Sequence, residues 1–243
     1  MFSGLIRNQA LAEPVQPSAL GFVGWPFWAS MLVVLPVFVQ APGVREPPFT
    51  SCVFGFVLLA VGVITHSMAP LKWKDLGALL VGFSGSWLAG SLFWGWLASH
   101  PLLHLPVEAF ALPLAITGLQ TRWRLGCAFY LASLVGTAFT DLSMALTGVM
   151  TLWPAVVGAS TAEATVLLQD AAAFVLRPSS LLTVMAAGVI ILQLVQYCRH
   201  QSSLSLATDK AWSVAAAVLF TTLLIDGLFL SLSLLAPELS GLV

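Results

Sequence analysis

The stretch FTSCVFGFVLLAVGVITHSM, residues 49–68, contains no Lys, Arg, Asp or Glu. A helix crossing a hydrocarbon core about 30 Å thick needs about 20 predominantly apolar residues, and this run supplies them. APLKWKDLG follows at 69–77, placing Lys72, Lys74 and Asp75 where lipid would be costly, and then a second apolar run begins. The same alternation marks six further segments, roughly 19–40, 76–98, 101–120, 125–150, 180–198 and 211–236. The expected fold is therefore all-α: a polytopic transmembrane bundle of about seven spanning helices. Prolines inside the first (Pro26, Pro36) and fourth (Pro106, Pro113) predict kinks, since each lacks the N–H that bonds four residues back.

Composition supports this reading. Of 243 residues 59% are hydrophobic and 8% charged, with mean hydropathy +0.97. Soluble domains carry about 25% charged residues, so this chain cannot cover a water-facing surface and its obligatory partner is the lipid bilayer. A net charge of −1 provides no basic patch for phosphates, which excludes nucleic acid. Cys52, Cys127 and Cys198 lack C-x-x-C or other metal-ligand spacing and read as small buried hydrophobes.

The cationic residues sort by side. With a cytoplasmic N-terminus, Arg7, Lys72, Lys74, Arg122, Arg124, Arg199 and Lys210 fall inside, and only Arg45 and Arg177 outside. That positive-inside bias orients the expected bundle N-terminus in and C-terminus outside or lumenal. Residues 1–18 read as a polar N-terminal segment. The run Ala19–Gln40 exceeds a signal h-region of roughly 7–15 residues, and Pro42 would follow a cut after VQA (39–41), so the run is expected to stay as the first span. Residues 151–179 carry Glu163, Asp170 and Arg177 and are too polar to span readily. Val166, Leu167, Asp170, Ala173, Phe174 and Arg177 recur at helical spacing, which predicts an amphipathic helix on the outer surface; a re-entrant segment is the alternative. Nothing divides the chain, so 1–243 is expected to form one integral membrane domain.

Small residues recur at four-residue spacing as Gly82, Ser86 and Gly90, with Ser91 and Gly95 beside them, and again as Ala132, Gly136 and Thr140. Such ladders let helix backbones approach closely in lipid, here within one bundle. Trp25, Trp28, Trp94, Trp96, Trp123, Trp153 and Trp212 lie near predicted helix ends, as anchors at the membrane interface do.

Ionisable residues inside the spans are the candidates for function. HPLLHLPVEAF (100–110) sets His100, His104 and Glu108 at four-residue intervals. In the expected topology Glu108 lies roughly 10 Å below the outer boundary, Asp141 roughly 14 Å and Asp226 roughly 15 Å, at ~1.5 Å per residue. A charge near mid-membrane costs roughly 2.5–3.5 kcal/mol on insertion scales, so each must face the bundle interior or a wet cavity. His104, one turn before Glu108, is placed to pair with it. Ser133 and Thr137 share a helix face with Asp141, and Thr222 precedes Asp226 by one turn. The candidate cluster is thus His104, Glu108, Asp141 and Asp226, with Gln193 and Gln196 as uncharged candidates for the same cavity. His100 reads as solvated, His66 as a helix-end residue, and His200 as part of a polar loop. No spacing is diagnostic of a metal, and whether the cluster serves a cofactor stays open. GFSGSW (82–87) lies inside an apolar span, without the strand-turn-helix setting of a nucleophile elbow.

The blocks LPVFVQAP (35–42), GFSGSWLAGSLFWGWL (82–97), HPLLHLPVEAFALPLA (100–115) and FYLASLVGTAFTDL (129–142) resemble an uncharacterised integral membrane family of cyanobacteria, a domain-of-unknown-function family. The resemblance covers about residues 25–145. It implies a cyanobacterial plasma or thylakoid membrane and supplies no activity. Three functions stay open. The first expectation is an accessory or assembly component of a larger membrane protein complex. The alternatives are a proton- or ion-coupled small-solute transporter, and a membrane enzyme acting on an isoprenoid, quinone or other lipid through buried carboxylates. A visible inverted repeat would favour a transporter, and none is evident.

Overall fold

The computed structural model describes residues 24–40, 44, 48–204 and 210–239, and these are helical, without strands. The helices are α1 (Trp25–Leu35), α2 (Pro48–Met68), α3 (Leu71–Leu92), α4 (His104–Glu108), α5 (Leu112–Gly118), α6 (Arg124–Thr147), α7 (Trp153–Gly158), α8 (Thr161–Val175), α9 (Pro178–Leu204) and α10 (Ala211–Leu235). Six stretches among the described residues are long and apolar enough to cross a membrane: α2, Leu71–Leu97, Pro101–Gly118, α6, α9 and α10. The expected first span is present as the shorter apolar helix Trp25–Gln40; its residues 19–23, like Arg7, Arg45 and the segment 1–18, lie outside the described residues.

Prolines shape the two irregular spans in different ways. Pro26 occupies the first turn of α1, where a missing N–H costs nothing, so the kink expected there is absent. Pro36 ends α1 and opens a π-helical turn, Pro36–Gln40, the wider winding that follows when an i−4 bond is lost. The fourth span is discontinuous. A 3₁₀ turn at Pro101–Leu103, the short α4, a second 3₁₀ turn at Ala109–Ala111 and then α5 succeed one another.

A break inside a membrane must have its freed backbone groups satisfied by protein. Tyr130 of α6 does this here: its hydroxyl donates to the Glu108 carbonyl and accepts from the Ala111 N–H at 3.2 Å.

The core lies where α3, α6 and α10 meet, around Leu79, Phe83, Phe129, Val214 and Val218, each at most 4% exposed. Gly82 and Gly126 allow α3 and α6 to touch backbone to backbone: a Cβ on Gly82 would strike the Gly126 carbonyl, and one on Gly126 the Ala78 carbonyl. The Gly82 ladder therefore packs within the bundle, as do Gly90 against Gln40 and Gly136 against Thr222. Gly148 closes α6 at φ +80°, the left-handed cap that glycine adopts without strain. Of the cysteines, Cys198 is buried, whereas Cys52 and Cys127 are only partly so.

Contacts gather the charged helix ends at one end of the bundle. Lys210 pairs with Asp75 and lies 5.3 Å from the Trp25 ring centroid. His66 Nδ1 sits 2.9 Å from the Lys74 carbonyl, and its ring lies 4.2 Å from that of Trp123. His66 is thus a buried staple for the α2–α3 hairpin. His100 and His200 are exposed.

Residues 151–179 form α7 and α8 rather than a single helix. Ser160 and Glu163 make a reciprocal capping box that starts α8. Its packed face is Ala164, Leu168, Ala171 and Ala172, and it lies against α9 and α10. Leu167 and Phe174 of the expected apolar set are only half-buried, while Val166, Asp170, Ala173 and Arg177 face outward. Alanine carries little hydrophobic signal, so the true contact stripe is muted in sequence.

Candidate functional site

A cavity of about 260 Å³ opens between the π-helical end of α1, α3, the broken fourth span, α6, α7 and α10. His104, Glu108, Asp141 and Asp226 all line it, together with Ser133, Thr137 and Thr222. Three carboxylates from three spans, with one imidazole, therefore share one chamber.

The geometry follows from local structure. His104 starts α4, so Glu108 stands one turn further along the same face, and its Oε1 lies 3.4 Å from His104 Nε2. Asp141 approaches from α6, with Oδ1 3.1 Å from Nδ1. Both ring nitrogens thus face a carboxylate, an arrangement that suits the imidazolium, which donates from each nitrogen. The imidazole also lies 4.2 Å from the Phe93 ring, centroid to centroid, which fixes its plane. Thr140, beside Asp141 in sequence, donates to Asp226 Oδ2 at 2.6 Å, so one turn of α6 links all three acids. No Lys or Arg lines the cavity among the described residues.

Aromatic rings form much of the remaining wall: Phe93, Trp94, Phe129, Trp153 and Phe229. Trp94 and Trp153 meet edge to face at 6.0 Å, and Trp153 Nε1 donates to the Ala98 carbonyl at 3.0 Å. These two residues, expected as interface anchors, are chamber walls as well.

Two sequence expectations need revision. Gln193 and Gln196 are exposed on α9 and do not line the cavity; their spacing set them on the outer face of that helix. The buried amide is Gln40, 2% exposed, whose Nε2 donates to the Trp87 carbonyl at 2.5 Å and to Ser91 Oγ at 2.8 Å. A polar residue closing an apolar run was the available signal for it. No group of three or more His, Cys, Asp or Glu side chains is placed to hold a metal ion among the described residues. The polar chain in the cavity supplies hydrogen-bond and charge sites.

A polytopic helical bundle with an acidic cluster in the wall of a largely apolar cavity is the class that fold and site define. Within that class the chain belongs to the family DUF3120, described as a protein of unknown function, whose model matches residues 29–234. No curated protein matches the chain, and no solved structure does.

Proposed function

We propose that this protein is a carrier whose central chamber binds a small organic cation and exchanges it against protons on the acidic cluster. The observation carrying the proposal is the charge balance of the chamber: three carboxyl groups face at most one imidazolium. A low-dielectric site with an excess of acids recruits a cation or protons. The aromatic wall narrows the choice to organic cations, since ring faces attract ammonium groups, by about 2 kcal/mol or more when desolvated. A discontinuous span beside an intramembrane charge cluster is also the arrangement from which secondary carriers build substrate sites.

The assembly role expected from sequence leaves the cavity without a use. The resemblance over residues 25–145 supports placing the carrier in a cyanobacterial plasma or thylakoid membrane. The positive-inside bias supports an N-terminus on the cytoplasmic side.

The test uses purified protein and benzyltrimethylammonium as probe, followed by titration calorimetry and then by a pH-sensitive dye trapped inside proteoliposomes. Saturable binding and a probe-driven pH change are expected. Glu108→Gln and Asp141→Asn should each weaken binding at least about tenfold, since a bond to a charged group is worth about 1.5–3 kcal/mol. Absence of binding by wild-type protein, with both variants failing to accumulate in the membrane, would return the cluster to a purely structural role.

A further inference from the structure

A second cavity, of about 240 Å³, lies beside the first, a half-open pocket between α6, α7, α8, α9 and α10, and shares Thr140, Met144, Trp153, Asp226 and Phe229 with it. Its other walls are mostly apolar, among them Leu168, Val184, Ile191 and Leu230, with the hydroxyls of Ser143, Thr147 and Ser233 between them. Two features separate it from a packing defect.

The first is Ser233. It lines the cavity at 1% exposure, and its Oγ has no hydrogen-bond partner among the described residues. The neighbouring hydroxyls are all engaged: Ser143 donates to the Phe139 carbonyl at 2.7 Å, Thr147 to the Ser143 carbonyl at 2.7 Å, and Thr140 to Asp226. A buried hydroxyl without a partner is costly, and Ser233, in the wall of this cavity, calls for an oxygen from elsewhere.

The second is a pair of glycines. A Cβ on Gly227 would meet nothing within 4 Å, and one on Gly188 only Leu223 Cδ1 at 3.7 Å. Neither is needed for close helix approach, unlike Gly82 and Gly126. Glycine in a helix interior is unfavourable relative to alanine; both line the cavity, Gly227 at an exposed position, and neither has a side chain to narrow it.

We infer that the second chamber binds the apolar chain of a membrane-partitioned amphiphile bearing one hydroxyl or carbonyl, which hydrogen-bonds to Ser233 Oγ. The volume exceeds the ~150 Å³ apolar cavity that accommodates benzene and falls below the ~300 Å³ lower end of drug-sized sites. A chain end with its polar group therefore fits, and the remainder of a longer chain would extend into lipid. The two chambers share five wall residues, Asp226 among them, and the inference is separated from the cation reading by the polar group it uses, Ser233, which lines the second chamber alone.

The experiment follows tryptophan fluorescence of the full chain in nanodiscs during titration with 11,12-dibromododecanol. The Trp153→Phe protein identifies the signal from the wall that this chamber shares. Saturable quenching of Trp153 is expected. Gly227→Leu should abolish the saturable phase by filling the space. Ser233→Ala should weaken binding of the alcohol about tenfold while leaving dibromododecane, which lacks the oxygen, unchanged. Competition by farnesol and by methyl dodecanoate then separates a prenyl from an acyl source. Glu108→Gln, which should lose cation binding, keeps this quenching, so the two readings fail independently. Quenching that is non-saturable in wild-type protein, or identical in wild type and Gly227→Leu, overturns the site. Equal affinity of wild type and Ser233→Ala for the alcohol overturns the role of Ser233.

Discussion

Removing one oxygen atom tests how the broken span is held. Tyr130→Phe keeps the ring, which packs against Gly85 and is 4% exposed as part of the whole residue, and deletes the hydroxyl that serves both the Glu108 carbonyl and the Ala111 N–H. Each backbone group left unpaired away from water costs about 1–3 kcal/mol. Interhelical hydrogen bonds in membranes average less, about 0.6 kcal/mol, because the alternative states also find partners. Here the hydroxyl bridges two groups that also belong to the 3₁₀ turn Ala109–Ala111, whose i→i+3 bonds have poorer geometry than those of an α-helix, so its removal weakens the turn without leaving either group wholly unpaired. The expected loss is about 1 kcal/mol, which at roughly 2–4 °C per kcal/mol for a chain of this size lowers the apparent melting temperature by about 2–4 °C. Tyr197→Phe, at an exposed position, serves as control. Hydrogen exchange provides the sharper readout: the Ala111 amide should exchange faster in Tyr130→Phe, whereas amides in the middle of α10 should not change. A melting temperature within about 1 °C of wild type, together with an unchanged Ala111 exchange rate, would refute the reasoning.

Other perturbations have equally definite outcomes. Gly82→Ala forces a Cβ into the Gly126 carbonyl and should abolish accumulation in the membrane by immunoblot, whereas Gly227→Ala, which meets nothing, should melt at or above the wild-type temperature. Asp75→Asn breaks the pair with Lys210, but both partners are more than a third exposed, so the loss should stay below about 1 kcal/mol in a denaturation midpoint. The capping box gives a pH signature. The Ser160 hydroxyl and then its backbone N–H hold the Glu163 carboxyl below its ordinary 4.5. A depressed folded-state value means that the cap contributes fully above the unfolded value and is lost as pH falls through the folded one. Amide exchange in the first turn of α8 should therefore rise below about pH 4.5, and Glu163→Ala should show the raised exchange at neutral pH as well.

Six of the seven expected spans were legible because each is set by one crude requirement, about 20 residues of low polarity; the first, Trp25–Gln40 among the described residues, is shorter. The other exceptions share a cause. Residues 151–179 split into α7 and α8, and the packed face of α8 is Ala164, Leu168, Ala171 and Ala172, a stripe that apolar periodicity undervalues. In the same way the polar face of α9 misplaced Gln193 and Gln196: an amide in a span can turn to lipid headgroups, to a neighbouring helix or to a cavity, and spacing alone does not choose. Gln40 was missed because its partners, the Trp87 carbonyl and Ser91 Oγ, lie on another span. The four ionisable candidates were found because charge inside a membrane has few tolerable positions. Depth estimates good to a few residues therefore sufficed to bring His104, Glu108, Asp141 and Asp226 to one place. The imidazole lying between two carboxylates required the tertiary fold.

Glycine shows where sequence reading stops and structure must take over. Gly82, Gly126, Gly188 and Gly227 all sit inside helices, where the residue is unfavourable by about 1 kcal/mol relative to alanine. In sequence they are indistinguishable. In the fold the first two are sites of backbone contact and the last two border open space. The distinction decides the sign of a substitution: a methyl group is forbidden at the α3–α6 crossing and welcome in α9 or α10 unless a ligand needs the space. If Gly227→Ala or a larger residue stabilises the protein while removing a bound amphiphile, then stability has been exchanged for function at that position, and the second chamber is a working part of the molecule.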